Sequence, residues 1–310
     1  MDPRHLPGKA LPRFQAWDGF AVRKEGNTLL TLAYRNYETR NESTLALLSA
    51  ACAEYGIGDF DWVMINTGDL EDPGLRSGNP LLVVDLDGNA FPYLSYSTAD
   101  GRFDVTIPDF VFDHWRQTGL DDYETTRNAL KRLDAPPPAT DLLGWRGALT
   151  HPSRSALVAL DDKTNFDCEF IVWDRSNPEK LVARNFLSFE QQVARWRYLI
   201  DVEGRGYSGR LKLLLCARRV VFIQERRHQE YFFQGLQPWV HYVPVRSDFS
   251  DLPANLARVK GDPALESAII AQASAFAQMF LTRDFAKYRL ANLLSAIPGR
   301  AASAPSARAR

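Results

Sequence analysis

The chain has 310 residues, with 37 Lys+Arg against 38 Asp+Glu for a formal net charge of −1. At roughly 100–200 residues per domain, that length suggests two domains. A hydrophobic content of 45% with 24% charged residues excludes a disordered or fibrous chain, and the neutral balance disfavours a nucleic-acid binder.

The charge is nevertheless split. Residues 1–140 carry 13 Lys+Arg against 21 Asp+Glu, a net of −8, and residues 141–310 carry 24 against 17, a net of +7. An anion site in the second half fits this split, while the plainer reading is uneven surface charge. The cysteines (Cys52, Cys168, Cys216) are odd in number and widely spaced, so neither a disulfide framework nor a metal cluster is expected. The histidines show no HxxxH or HxH spacing, and a metal site is not expected from them either. The opening MDPRHLPGKALPRF lacks the apolar stretch of a signal peptide. No run reaches the roughly 18 apolar residues that would span a membrane. The expected location is the cytoplasm, with peripheral contact at the inner membrane allowed through the basic face.

In chain order, residues 14–35 alternate apolar and polar about Gly26-Asn27, which predicts a β-hairpin. Asn41, Ser43 and Thr44 are N-cap candidates for a helix over LALLSAACAEY, with Gly56 as its stop. FDWVMIN (60–66) predicts a buried strand that runs into the polar loop TGDLEDPG, and residues 79–86 predict another strand. Asp121 to Leu133 reads as a helix. The prolines at 136–138 then read as a linker, where the charge changes sign. Beyond it, strands at LLGWRGAL, FDCEFIVWD, RYLIDVEG, RVVFIQ and HYVPV alternate with helical segments. Those segments are SRSALVALDD, SFEQQVARWRYL, GYSGRLKLLLCA and HQEYFFQGL. That alternation implies parallel βαβ units. Asp262 to Ile297 reads as a long helical region broken in the middle, and the small, basic segment 299–310 as a disordered tail. The expected fold is therefore α/β, with domains at 1–138 and 139–298 and ligands at the carboxyl ends of the strands.

Four segments could carry chemistry. Gly204-Arg205-Gly206-Tyr207-Ser208-Gly209 follows a strand ending at Asp201-Val202 and precedes a helix opening with Arg210. Glycines admit close backbone approach, helix N–H groups point outward, and arginine supplies a bidentate fork, as a phosphate requires. Such turns are also common structural elements. Arg146-Gly147 closes another strand, and Thr150 to Arg154 opens the next helix, so two junctions could converge on one diphosphate. The plain alternative is a capped helix with solvated arginines. Glu230, at a helix start, suits a ribose diol or simple dipole compensation. Asp69, in the loop after FDWVMIN, is a candidate general base. Glu71 and Asp72 lie too close in sequence to be separated from it.

Together these segments resemble glycosyltransferase family 90, which includes lipopolysaccharide- and capsule-associated transferases and protein O-glucosyltransferases. The resemblance is carried by LQPWVHYVPVRSDFSDL (236–252), by YLIDVEG and SGRLKLL within 198–214, and by RGALTHPSR (146–154). INTGD (65–69) and DVTIPDFVFDHW (104–115) extend it more weakly into the first half. The resemblance implies a GT-B type fold with two Rossmann-like domains, a cleft between them and C-terminal helices. It implies inversion, a UDP-sugar donor and no metal or other cofactor. It makes Asp69 the base. It places Arg146, Gly147, Thr150 and Arg154 along the donor, Ser208 and Arg210 on the diphosphate, and Glu230 on the ribose. Two positions depart from the family pattern: Gly68, where an arginine precedes the base, and Leu149, where a polar residue is usual. The expected acceptor is a glycan or lipid-linked saccharide of lipopolysaccharide or surface polysaccharide synthesis. The alternatives are a non-catalytic nucleotide- or glycan-binding protein on the same fold, or a metal-dependent phosphate-ester enzyme.

Overall fold

A computed structural model describes residues 11–14, 18–35, 39–70, 81–132, 137–173 and 183–297. Glu71, Asp72, the first residues of the strand expected at 79–86, Pro136 and the tail at 299–310 lie outside the described residues.

The expected hairpin forms from β1 (Gly19–Glu25) and β2 (Thr28–Arg35). Gly26, at φ 55°, supplies the left-handed backbone that a two-residue hairpin turn demands. Helix α1 (Arg40–Tyr55) starts earlier than its cap candidates suggested, so Asn41, Ser43 and Thr44 face the core from its first turns. It stops at Gly56 in the left-handed conformation, as expected. After α1 come β3 (Phe60–Asn66), β4 (Leu82–Val84), β5 (Ala90–Ser95) and helix α2 (Tyr123–Arg132).

The first sheet has the order β2-β1-β3-β5-β4, and only β3 and β5 run parallel. This corrects the expectation of a Rossmann-like first half. The hairpin inserts β1 antiparallel beside β3, between the two strands that α1 connects.

The second half matches the expected alternation more closely. It contains β6 (Thr140–Gly147), α3 (Ser153–Val158), β7 (Phe166–Phe170), and a small antiparallel pair, β8 (Val172–Trp173) with β9 (Ala183–Arg184). Then follow α4 (Phe189–Arg195), β10 (Trp196–Asp201), α5 (Leu211–Cys216), β11 (Val220–Gln224) and β12 (Val243–Val245). Helices α6 (Leu252–Lys260), α7 (Pro263–Phe280) and α8 (Arg283–Ser295) close the described chain. The five-stranded sheet, ordered β12-β11-β10-β6-β7, is parallel throughout. Its interior strand β11 is buried along its whole length, which explains its unbroken apolar run.

Three helical expectations change. Helix α4 ends at Arg195 because Trp196 belongs to the sheet, where its indole covers Gly144. A Cβ on Gly144 would sit 1.7 Å from that ring. Residues Tyr231–Gly235 form a single 3-10 turn instead of opening a helix. Helices α3 and α5 are only 6 residues each. The C-terminal break falls at Leu281-Thr282, and the side chains of Asp262 and Thr282 cap the two helices it separates.

The largest apolar core takes Phe20, Leu48 and Ile107 from the first half and Leu199, Leu214 and Leu290 from the second. The Tyr123 hydroxyl donates to the Leu281 carbonyl at 2.8 Å across the same seam. The two sheets thus share one core instead of meeting only across an open cleft. A second core, with Leu143, Tyr198 and Phe222, fills the space on the other face of the parallel sheet.

Candidate active site

The strand order of the parallel sheet reverses between β6 and β10, neighbours whose connections leave in opposite directions. Such a switch point opens a crevice at the carboxyl ends of the strands. β6 ends at Gly147 and β10 at Asp201, so both predicted strand-to-helix junctions reach this crevice. A Cβ on Gly204 would lie 3.5 Å from Arg154 Nη2 and 3.6 Å from Thr150 Oγ1, so the two junctions meet there.

Asp201 is fully buried and organises the site. The Ser208 hydroxyl donates to its Oδ1 at 2.7 Å. Arg226 donates to its Oδ2, and Arg210 Nε stands 3.8 Å from Oδ1. Arg154 bridges the junctions by donating to three carbonyls: Glu203 at 2.8 Å, Ala148 at 2.7 Å and Val202 at 3.3 Å. Arg210 donates to the Arg146 carbonyl at 2.6 Å and to Gln192 Oε1 at 3.3 Å. Burial lowers the Arg154 pKa to about 10, with Arg210 adding repulsion. Burial likewise lowers that of Arg210, which the nearby Asp201 partly offsets. Arg210 Nε and Arg226 Nη1 are buried with no hydrogen-bond partner among the described residues. Three guanidiniums around one carboxylate leave positive charge that an anion would neutralise. Thr150 is exposed at the rim.

Arg146 differs from the expectation. Its guanidinium donates to the Asp167 carbonyl and to Asp167 Oδ1, both at 2.8 Å, and lies over the Trp196 ring. Burial opposes ionisation of Asp167, but hydrogen bonds from Lys163, Arg146 and Trp196 hold its carboxyl well below the usual carboxylate range. The Arg146 side chain therefore braces β6 against β7, and only its carbonyl serves the crevice, by holding Arg210. Gly147 is required by packing, since a Cβ there would meet the Trp145 ring at 2.4 Å.

Glu230 sits in a separate buried group. Lys212 Nζ lies 2.7 Å from Glu230 Oε1 and 3.0 Å from Asp109 Oδ2. Burial raises the Glu230 carboxyl to about 8; Lys212 opposes the rise and Asp109 adds to it. Burial acts to lower the Lys212 pKa, but Asp109 and Glu230 hold it above the ordinary value. Glu230 Oε2 and Asp109 Oδ1 have no hydrogen-bond partner among the described residues.

Asp69 follows β3 in a loop that its own side chains fix. Gly68 N donates to Asn66 Oδ1 at 2.7 Å, Asn66 Nδ2 to the Leu70 carbonyl at 3.0 Å, and Thr67 Oγ1 to Asn41 Oδ1 at 2.6 Å. The Asp69 side chain is 31% exposed and receives Arg40 Nη1 on Oδ1 at 2.8 Å. Its carbonyl presses on the glycine turn, where a Cβ on Gly206 would fall 1.9 Å from Asp69 O. The turn that carries Ser208 and leads to Arg210 therefore touches the loop that carries Asp69.

Asp201, Arg226, Asp109, Lys212 and Arg40 were not singled out for the site from sequence. Asp201 and Arg226 did carry a signal, one as the last residue of its strand and the other within the basic excess of 204–227. Among the described residues, no group of His, Cys, Asp and Glu is arranged to hold a metal ion, and no single helix is long and apolar enough to cross a membrane.

Protein O-glucosyltransferase 1 of Homo sapiens is 28% identical over 225 residues, covering 66% of this chain and 56% of that protein. Protein O-glucosyltransferase 2 of Danio rerio is 32% identical over 148 residues, covering 45% of this chain and 29% of that protein. The chain spans about half the length of the first of these relatives and less of the second. A solved glycosyltransferase from Rickettsia africae ESF-5 aligns at 9% identity and a TM-score of 0.37, covering 69% of this chain and 58% of that one, too distant to carry an argument. The family model described as Glycosyl transferase family 90 matches residues 33–298, and the chain belongs to that family.

Proposed function

We propose that the chain is an inverting glycosyltransferase that moves a sugar from a UDP-sugar to an acceptor hydroxyl, with Asp69 as general base. The observation that carries this reading is the contact between Gly206 and the Asp69 carbonyl. It sets a carboxylate beside a turn whose far side is a buried, arginine-rich anion pocket. In the reaction, the acceptor oxygen bonds to the anomeric carbon as the bond to UDP breaks, and the acceptor proton passes to Asp69. Arg40 occupies Oδ1, and among the described residues none donates to Oδ2, the oxygen we assign to the proton. Charge developing on the diphosphate is met by Arg210, with Arg226 and Arg154 behind it. These groups are already fixed before the reaction, so little reorganisation is needed. Glu230 is the group we assign to the donor ribose. The parallel sheet and its switch point support a GT-B type arrangement.

Relatives named for protein O-glucosylation favour a protein hydroxyl as acceptor and glucose as donor sugar. They lend no support to the expectation of lipopolysaccharide synthesis. A UDP-release screen over UDP-glucose, UDP-xylose and UDP-galactose, with and without EDTA, tests the reading. Release is expected to persist in EDTA. Asp69→Asn is expected to lower transfer by about 10²–10⁴-fold while UDP still binds. Full activity in that variant would remove Asp69 from the mechanism. UDP binding without turnover on any donor would favour the non-catalytic alternative.

A further inference from the structure

We infer that Arg40 is the positioning residue of the general base, holding Asp69 from the start of helix α1 so that one carboxylate oxygen stays aimed at the acceptor. The inference rests on the reading of Asp69 given above. Arg40 Nη1 donates to Asp69 Oδ1 at 2.8 Å and to the Thr67 carbonyl at 3.1 Å, so one group grips both the carboxylate and its loop. The Arg40 side chain is buried, and its guanidinium lies 4.8 Å from the centre of the Phe110 ring, which limits its drift. Asn41, the next residue, accepts from Thr67 Oγ1, so α1 holds the loop at a second point. Among the described residues of the loop, 67–70, there is no Lys or Arg. Gly68 has no side chain, and a Cβ there would lie 3.0 Å from Asn66 Oδ1 and 3.1 Å from Asp18 Cβ.

Among the described residues, ionisable groups lie around the Arg40–Asp69 pair on four sides. Arg40 projects from α1, Tyr96 follows β5, and Tyr207 stands on the glycine turn with Asp109 facing it. Asp18, paired with Arg35, lies beside Gly68. Burial acts to lower the Arg40 pKa, but Tyr207, Asp69 and Tyr96 raise it above the ordinary value, so Arg40 stays charged throughout the working pH range. A fixed guanidinium at hydrogen-bond distance holds the Asp69 carboxylate in one orientation. It also spares the base a search among rotamers.

The test compares Arg40→Gln and Arg40→Lys with wild type and Asp69→Asn in the full chain, reading kcat, donor KM and UDP affinity. Arg40→Gln is expected to lower kcat about tenfold or more with donor KM and UDP affinity unchanged. Arg40→Lys keeps the charge but not the planar guanidinium, so its kcat is expected between those of Arg40→Gln and wild type, with donor KM and UDP affinity again unchanged. Wild-type kcat in Arg40→Gln overturns the inference, as does a parallel loss of UDP affinity in both variants. Should Arg40→Gln fail to fold, wild-type kcat in Arg40→Lys overturns it alone. If Asp69→Asn is inactive in any of these cases, the reading of Asp69 stands without Arg40. An active Asp69→Asn removes that reading instead.

Discussion

Glu230 shows how far burial can suppress a residue's ordinary charge. Its carboxyl titrates near 8, above its unfolded value near 4.5. The folded state therefore binds more protons than the unfolded state between those two pH values. Stability from this group is fully present below about 4.5, and it declines as pH rises toward 8. Glu230→Gln keeps the shape without the titration. Wild type is expected to lose on the order of a few kcal/mol relative to Glu230→Gln across that window. Paired thermal melts from pH 5 to 8.5 measure the difference, and parallel curves would contradict the assignment. The sequence marked Glu230, Ser208 and Arg210 by residue type and spacing, and all three are buried or nearly so at the crevice or beside it. It could not show that Arg146 is committed to Asp167, because that pair forms across adjacent strands 21 residues apart. Arg40 was hidden for the same reason, since its partner lies 29 residues further along the chain.

At the level of elements, the glycine turn between β10 and α5 does two tasks. One side holds Asp201 through Ser208, and the other meets the loop after β3 at Gly206. Gly206→Ala would put a methyl 1.9 Å from the Asp69 carbonyl oxygen, which is backbone and cannot simply swing aside. Forced separation of this kind costs about 1–3 kcal/mol. The expected outcome is a folded protein whose kcat falls more than its UDP affinity, because the base loop moves while most of the anion pocket stays. Isothermal titration with UDP beside steady-state kinetics separates the two effects, and equal losses in both would place the damage in the pocket. The parallel sheet was legible in the sequence because buried strands and amphipathic helices alternate on different periods. The first sheet was less legible. A hairpin announces itself locally, but where β1 inserts beside β3 depends on pairings that local pattern does not encode.

Across the whole molecule, the charge split first visible in composition becomes a seam held by buried opposite charges. Lys212 from the basic half meets Asp109 from the acidic half, 103 residues away, and both side chains are fully buried. Close by, Thr98 and Gln229 exchange backbone hydrogen bonds at 2.9 Å, and α8 adds Leu290 and Leu294 to the core shared by both halves. Removing one partner of a buried ion pair leaves the other uncompensated, at about 3–5 kcal/mol. Lys212→Met is therefore expected to lower stability by that amount, with Asp109 and Glu230 left facing each other. Because the core crosses the seam, the loss is expected in both halves together. Trp62 reports on the first sheet, and Trp145 and Trp196 on the second. Hydrogen exchange of the strands bearing these tryptophans in the intact chain should give coincident unfolding midpoints for β3 and for β6 with β10, lowered equally by Lys212→Met. Separated midpoints, or a shift confined to one sheet, would mean that the halves unfold independently and that Lys212 braces only its own side.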